Sequence, residues 1–282
     1  MKNDTKNRPI KIFTLGRFNI LRDGYPIQFV GKVQRKPLEL LKAIISFGGR
    51  EVSADQLSDA LWPDAEGDMA NQSFNTTLHR LRRLIGNDMA IKFHGGILTL
   101  DDRCCCVDTW AFEQIVENSE DVFKRTGETG KGKNGKILDT SPSDSSIRPF
   151  PISQTEAVRL SEKIFSIYKG SFLPSDARYL WTISTRERLH NKFLRLVIML
   201  GNFLEQSGQW QSAAEHYQKA IETDNLAEEF YQHLMVCHRQ LDQCVKAIEV
   251  YQRFKNILST YFGIKPSKTT EAIYKALISE NT

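Results

Sequence analysis

Apolar residues recur every three or four positions between residues 71 and 85, which is the spacing of one helical face. Phe74, Leu78, Leu81 and Ile85 form this face, which a helix would bury against a core. The opposite face carries amide, hydroxyl, imidazole and guanidinium groups, from Gln72, Thr76, His79, Arg80 and Arg83, with Asn75 and Arg82 on the flank. Groups of these types bind base edges and phosphates in a DNA major groove. A solvated cationic helix has the same pattern, so the neighbouring segments must decide between the two interpretations.

The segment before this helix contains short apolar runs followed by two helical patterns. Strands are predicted at residues 10–15, 18–21 and 26–29. Pro37 can begin a first helix, because the first turn of a helix needs no N–H donor. Ser53 and Gln56 form a capping box that begins a second helix, which Pro63 ends.

The segment after the helix predicts a hairpin. Residues 91–93 and 97–100 have the length and composition of strands, and His94, Gly95 and Gly96 form the turn between them. A small sheet, two helices, a cationic helix and a hairpin make up a winged helix-turn-helix. Its last helix enters the major groove, and its hairpin contacts the DNA backbone or the minor groove nearby. The three turn residues are therefore predicted DNA contacts.

Helical patterns continue after the hairpin, with one interruption. Asp108 is predicted to be the N-cap of the next helix. Between residues 126 and 153, glycine, lysine, serine and proline replace apolar residues, which predicts a flexible insertion. Helices resume at Thr155 and continue to the C-terminal region.

Two helical stretches near the C-terminus are related by a repeat of 34 residues. The first contains Trp210, Ala213 and Tyr217, and the second has Cys244, Ala247 and Tyr251 at the corresponding positions. Paired helices with this spacing, with small residues where helices touch and aromatic residues beside them, are typical of tetratricopeptide (TPR) repeats. The fold class is thus mainly α with small β-sheets. A winged-helix DNA-binding domain is expected at 1–103 and an all-α TPR-like helical domain at 104–282, with the flexible insertion at 126–153.

Charge is unevenly distributed in the chain, although the net charge is only +4. Residues 1–100 contain 15 Lys and Arg against 10 Asp and Glu, and the remaining residues contain 23 against 24. The basic excess therefore lies with the predicted DNA-binding domain. No run of 18 apolar residues is present and the first residues are polar, so we expect no contact with a membrane and a cytoplasmic location.

The sequence does not support a metal, redox or catalytic site. Cys104, Cys105 and Cys106 are consecutive, and consecutive strand residues point to alternate faces, so we expect small strand residues that share no metal ion. The chain contains no phosphate-binding loop, nucleophile elbow or metal-ligand spacing. We therefore expect neither an enzyme nor a bound cofactor.

Six short stretches stand out for their order and spacing along residues 10–278. They are Leu15-Gly-Arg-Phe18, Leu61-Trp-Pro-Asp64, Leu78-His-Arg-Leu-Arg-Arg83, Val107-Asp-Thr-Trp-Ala-Phe112, Tyr168-Lys-Gly170 and Phe262-Gly-Ile-Lys-Pro-Ser267. Together they resemble the bacterial transcriptional activator family of antibiotic regulatory (SARP-type) activators. In that family an OmpR/PhoB-type winged helix precedes an all-helical activator domain. The chain also resembles the C-terminal module of larger regulators with upstream sensor or ATPase domains.

The resemblance implies sequence-specific binding to double-stranded DNA at direct repeats and recruitment of RNA polymerase. By motif position it assigns base reading to Thr76, Thr77 and Arg80 and phosphate contacts to Arg82 and Arg83. The helical pattern agrees on Thr76 and Arg80 but puts Thr77 nearer the core.

Two functions remain open from the sequence. The first is a DNA-binding transcriptional activator that reads the major groove with helix 70–85 and uses the helical domain for self-association or contact with RNA polymerase. The alternative is a TPR-type adaptor in which the winged helix only packs or binds protein. The donor-rich face of the helix favours the first function. We expect that deletion of residues 155–282 leaves some DNA binding and abolishes activation.

Overall fold

The computed structural model describes residues 9–28, 35–65, 67–128 and 152–279. Contacts divide the chain into two compact units. The first unit contains residues 1–112 and 168–191, and the second contains residues 113–167 and 192–282. Helices predominate and the sheets are small and N-terminal, which confirms the predicted fold class. The domain boundary at residue 103 stays a prediction. The two compact units reflect which residues contact one another, whereas the predicted boundary separates two kinds of domain.

The first unit opens with an antiparallel meander of β1 (Ile10–Phe13), β2 (Asn19–Arg22) and β3 (Tyr25–Pro26). The strand β7 (Cys105–Val107) pairs parallel to β1 and completes a four-stranded sheet in the order β3-β2-β1-β7. The strand predicted at 26–29 was wrong in its bounds: β3 ends at Pro26, and one further backbone bond follows it, from the Ile27 N–H to the Ile20 carbonyl at 2.9 Å. Phe29 lies outside the described residues.

Three helices of the first unit pack against one another: α1 (Arg35–Ser46), α2 (Ala54–Leu61) and α3 (Gly67–Ile85). The helix α1 begins two residues before Pro37, and the left-handed glycines Gly48 and Gly49 follow its end. Ser53 caps α2 as predicted, since its hydroxyl accepts the Gln56 N–H at 3.5 Å. These caps set the path of the chain into α3, which packs against α1 and α2.

The hairpin consists of β5 (Ile91–His94) and β6 (Ile97–Leu100), and β4 (Val52–Ser53) pairs with the other side of β6. His94 pairs with Ile97, so it ends a strand and does not belong to the turn, contrary to the prediction. The turn is Gly95-Gly96 alone, with φ angles of 55° and 77°. Two positive φ angles suit the right-handed twist of a hairpin, and glycine adopts them without strain.

Residues 168–173 belong to the first unit and extend its sheet at the end of β1. Leu15 pairs with Phe172 in an isolated bridge. A side chain at Gly16 would meet the Lys169 carbonyl oxygen at 2.7 Å, so the two strands approach closely only because residue 16 is glycine. Gly170 faces Gly16 from the other side. The stretches Leu15-Gly-Arg-Phe18 and Tyr168-Lys-Gly170 therefore meet in the fold, far apart as they are in sequence.

A buried carboxylate, that of Asp108, ties the end of β1 to the helix α4 (Asp108–Glu128). It accepts the Thr14 N–H at 2.6 Å and the Leu15 N–H at 2.8 Å, together with the Thr14 hydroxyl and the Thr109 N–H. Burial raises the pKa of Asp108, although these hydrogen bonds act against that rise. The prediction of a simple N-cap was incomplete, because most of the bonds join α4 to another element and not to its own first turn.

The helix α1 also binds the segment that follows residue 173 through a polar stripe at residues 39, 42 and 46. The Tyr179 hydroxyl donates to Glu39, Lys42 forms an ion pair with Asp176 at 2.7 Å, and the Ser46 hydroxyl donates to the Trp181 carbonyl at 2.6 Å. Burial acts to raise the pKa of Glu39, but hydrogen bonds from Tyr179, Arg35 and Lys36 outweigh it and lower the pKa overall. This segment thus folds as part of the unit that contains α3.

The second unit includes most of α4 and six further helices within the described residues. These are α5 (Gln154–Ile167), α6 (Ile183–Gln206), α7 (Trp210–Thr223), α8 (Glu228–Gln240), α9 (Cys244–Phe262) and α10 (Lys268–Ser279), of which α6 begins in the first unit. The helices α7 and α9 begin at the predicted repeat positions, and Ala213, Tyr217, Ala247 and Tyr251 are buried. Each pairs with the helix after it, as in TPR repeats.

The predicted insertion at 126–153 lies mainly outside the described residues, which omit 129–151. Its first three residues continue α4, so the helix is longer than the composition indicated. At its other end, Ser153 and Glu156 form a reciprocal capping box that begins α5. No helix of the described ranges is both long and apolar enough to cross a membrane.

Candidate DNA-binding surface

The helix α3 exposes the donor-rich face that the sequence predicted. Its apolar residues Phe74, Leu78, Leu81 and Ile85 are buried. Six polar residues of the opposite face are exposed, namely Gln72, Asn75, Thr76, His79, Arg80 and Arg83. The helical period alone predicted these positions, because one face of α3 must pack on α1 and α2.

Asn71 is also exposed on α3 and was missed as a candidate contact. The apolar pattern first becomes clear at Phe74, so the sequence placed Asn71 at the start of the helix. In the structure α3 begins at Gly67, and the buried Ala70 belongs to its apolar face. Ala70 could have indicated this from the sequence. If Ala70 is included, the apolar pattern of α3 extends one turn towards the N-terminus and places Asn71 and Asn75 on the same side of the helix.

Thr77 and Arg82 are not available in the way the family resemblance implied. Thr77 is 6% exposed and lies on the core side of α3, so its hydroxyl does not reach the exposed face. Arg82 donates two N–H groups to the Ile91 carbonyl, at 3.2 and 2.8 Å. Its guanidinium therefore attaches α3 to the hairpin and is not a free phosphate ligand. The positions of Thr77 and Arg82 both follow from the way α3 packs against the core and the hairpin.

Further contacts hold α3 against the hairpin and the first sheet. The Phe74 and Phe93 rings meet edge to face with their centres 5.5 Å apart. Arg22 of β2 donates to the Ile85 carbonyl at 3.3 Å, beside the end of α3. Together with Arg82, these contacts fix the exposed face of α3 relative to the turn of the hairpin.

The tip of the hairpin is open, and its base is held by ion pairs. His94, Gly95, Gly96 and Ile97 are exposed. At the base, the buried Asp101 carboxylate binds Arg103 at 2.7 Å and Lys92 at 2.8 Å. Arg103 and then Lys92 hold the pKa of Asp101 far below its usual range. Lys92 of β5 is therefore bound within the hairpin by its ion pair with Asp101. The Gly95-Gly96 turn remains exposed.

The positive charge in the second half of α3 has no acidic neighbour on the helix, whose one acidic residue is Asp68 in the first turn. Residues 71–85 contain no Asp or Glu. Within the described residues, no ion pair or side-chain hydrogen bond engages Arg80, Arg83 or His79. A helix of this width fits the major groove of B-form DNA, where guanidinium, amide and hydroxyl groups find both base edges and phosphates. The arrangement is therefore suited to binding duplex DNA.

Other chemistry finds little support in the described part of the chain. It holds no group of three or more His, Cys, Asp or Glu side chains that could bind a metal ion. In β7, Cys105 and Val107 are buried and Cys106 between them is partly buried, which is the alternation expected of strand residues, while Cys104 lies in the turn before the strand.

Comparisons with known proteins show what the chain is similar to. Residues 152–278 match the family model of the bacterial transcriptional activator domain. Among solved structures, Mycobacterium tuberculosis EmbR in complex with a low-affinity phosphopeptide is similar, with a TM-score of 0.62 and 16% sequence identity. The match covers 97% of this chain and 66% of the EmbR chain. No curated protein sequence matches the chain.

The likeness to EmbR shows the fold, because 16% identity carries no more than that. It covers both units of this chain, including the winged helix and the helical repeats. The family match and the shared fold confirm the resemblance inferred from the six sequence stretches. Residues 152–278 are therefore similar to the bacterial transcriptional activator domain, and the chain as a whole shares its two-part fold with EmbR.

Proposed function

We propose that this chain is a sequence-specific DNA-binding transcriptional regulator that activates transcription. The observation that carries the proposal is the exposed face of α3, where residues 71–83 present two arginines, three amides, a hydroxyl and an imidazole, and the one acidic residue of the helix, Asp68, lies in its first turn. The match of residues 152–278 to the bacterial transcriptional activator domain supports the same function.

In this proposal Gln72, Asn75, Thr76, His79 and Arg80 face the base edges. Arginine reads guanine through two parallel hydrogen bonds, and glutamine or asparagine reads adenine in the same manner. Arg83 lies nearer the end of α3 and contacts a backbone phosphate.

The hairpin gives a second contact with the same duplex. His94, Gly95 and Gly96 approach the backbone or the minor groove beside the helix, as in other winged helices. The absence of side chains at Gly95 and Gly96 lets the backbone N–H groups come close to phosphate oxygens.

The helical domain is proposed to self-associate or to contact RNA polymerase, on DNA that carries direct repeats. The TPR-like helix pairs are of a kind that builds protein-binding surfaces. Monomers side by side on a direct repeat need no stable dimer in solution, so the two roles are compatible.

The experiment that tests this function is enrichment of the full chain on a pool of random duplex DNA, repeated at two salt concentrations. We expect a repeated motif to be enriched and the affinity to fall steeply as salt rises, because cationic side chains displace counterions from phosphates. Weak, salt-sensitive binding without an enriched motif would contradict sequence specificity. No binding at low salt would favour the adaptor function, in which the winged helix binds protein.

A further inference from the structure

One corner of the second unit exposes large apolar side chains beside two lysines. Tyr261, Phe262 and Ile264 are 74%, 54% and 55% exposed where α9 gives way to α10. Lys265 and Lys268 follow them and are exposed, and no ion pair within the described residues engages either lysine. We call these five residues the basic corner. Large apolar side chains exposed close together in the chain favour a protein interface, because burying them from water is favourable.

The equivalent corner of the preceding helix pair has the opposite charge. Leu226 is 48% exposed between α7 and α8. Glu222 at the end of α7 and Glu229 at the start of α8 are exposed on either side of it. We call these three residues the acidic corner. It offers one large apolar side chain and two carboxylates.

Hydrogen bonds fix the two corners side by side. The Glu228 carboxylate, next to Glu229, accepts the Ser267 N–H at 2.8 Å and the Thr270 hydroxyl. Gln232 of α8 donates to the Thr270 hydroxyl oxygen at 2.8 Å. Gly263 ends α9 in the left-handed conformation, with φ of 66°, and directs the chain into this contact. The exposed side chains are therefore held on an ordered frame.

The two adjacent corners have opposite charge, and each includes at least one large exposed apolar side chain, so the pair is complementary to itself under a two-fold rotation. We infer that this surface binds a second copy of the chain, with the basic corner of each copy on the acidic corner of the other. Apolar burial supplies the affinity, and the charges set the orientation, because exposed ion pairs contribute little energy but exclude mismatched arrangements. DNA is a poorer occupant, since Glu222 and Glu229 would repel its phosphates.

This inference deepens the proposed function, because it names a surface for self-association of the helical domain. The inferred interface rests on the proposed function only for its biological role, because dimer formation can be measured on the protein without DNA. DNA binding by the same variants is measured separately, so that failure of the interface and failure of DNA recognition can be told apart.

The first test is sedimentation of the full chain over a range of about 1 to 100 µM, which covers weak and moderate dimers. We expect a monomer–dimer equilibrium, and we expect Y261S/F262S to raise the dissociation constant at least about tenfold, as for central apolar contacts. The matched control is Val245→Ser, an exposed apolar residue at the other end of α9, about 24 Å away. A monomer throughout, or equal weakening by the control, overturns the inference.

The second test exchanges the charges. Lys268→Glu and Glu229→Lys should each weaken the dimer, because each puts like charges in contact at both halves of a two-fold interface. The double variant restores both opposite-charge contacts and should recover dimerisation. Thermal unfolding confirms that each variant folds, and Glu222→Lys replaces Glu229→Lys if the latter does not. A double variant no better than the singles overturns the proposed arrangement.

Discussion

Arg80 and Arg83 lie three residues apart on the exposed face of α3, yet the proposal gives them different roles. Arg80→Ala should cost about 1–3 kcal/mol against the cognate site and much less against random DNA, as for a base-reading arginine. Arg83→Ala should weaken both alike and lower the slope of affinity against salt by about one. Titrations of both DNAs at several salt concentrations measure these effects.

Arg178→Ala is the matched control for those variants. Arg178 is an exposed arginine of the same unit, but it lies beyond α3 and packs over the Tyr179 ring. Its loss removes the same charge without touching the proposed surface, so DNA affinity should change little. Wild-type binding by Arg80→Ala and Arg83→Ala together would refute the assignment of α3 as the recognition helix.

His216 is a buried histidine whose hydrogen bonds fix its neutral form. Its Nε2–H donates to the Val197 carbonyl at 2.9 Å, which can only accept, so Nδ1 accepts the Ser161 hydroxyl at 2.6 Å. Burial lowers the pKa of His216 to about 4. The unfolded chain, with a histidine pKa near 6.5, binds the proton first as pH falls. Folding free energy is therefore lost as pH falls below about 6.5.

We expect the second unit to lose about 2 kcal/mol of stability through His216 between pH 7 and pH 5. Urea unfolding at the two pH values measures this loss. The variant His216→Gln is less stable at pH 7 but cannot titrate, so its stability should depend less on pH than that of the wild type. An identical pH dependence in both proteins would contradict the neutral assignment.

At the scale of elements, the contact of α6 with α7 depends on a missing side chain. Gly201 lies within α6, and a Cβ there would be 2.1 Å from the Tyr217 hydroxyl oxygen and 2.2 Å from its Cζ. In an exposed helix, replacing glycine with alanine stabilises by roughly 0.5–1 kcal/mol. Here we expect the opposite sign, with Gly201→Ala destabilising by about 1–3 kcal/mol, because the buried Tyr217 must move.

Chemical denaturation of Gly201→Ala measures that change. A second substitution, Tyr217→Ala, removes the obstructing ring and provides the control. In the Tyr217→Ala background, the alanine at position 201 should no longer be costly, since the two effects share one contact. Additive losses in the double variant would show that the close approach does not matter.

The arrangement of elements in the first unit changes the expected result of truncation. Deletion of residues 155–282 was expected to leave some DNA binding and to abolish activation. That deletion removes Phe172, which pairs with Leu15, and the polar contacts that α1 makes with Asp176 and Trp181. A chain of residues 1–154 should therefore unfold at lower temperature and bind DNA more weakly than a chain of residues 1–191. Thermal unfolding and DNA titration compare the two.

Residues 1–191 serve as the matched control, because they retain every segment of the first unit. Equal stability and equal DNA affinity of the two chains would mean that residues 168–191 are not needed by the winged helix. In either chain, the activator region is incomplete, so neither should support activation.

Periodicity by itself determined most of the elements and the exposed face of α3. One face of a helix must be buried, so the spacing of Phe74, Leu78 and Leu81 fixed which residues remain outside. The repeat of 34 residues located α7 and α9 for the same reason, since stacked helix pairs need small and aromatic residues at set positions. These are local patterns, and local physics was sufficient to interpret them.

Only the tertiary structure decided the partners of side chains that bond to distant segments of the chain. Arg82 looks like any cation of its helix, and only the position of the Ile91 carbonyl makes it a structural bond. Asp108 has the sequence of an N-cap, but its partners come from β1. Likewise, residues 168–191 follow two further helices in sequence yet complete the first unit. Contacts between distant segments depend on the tertiary packing of the whole chain, and the periodicity within one segment does not contain that information.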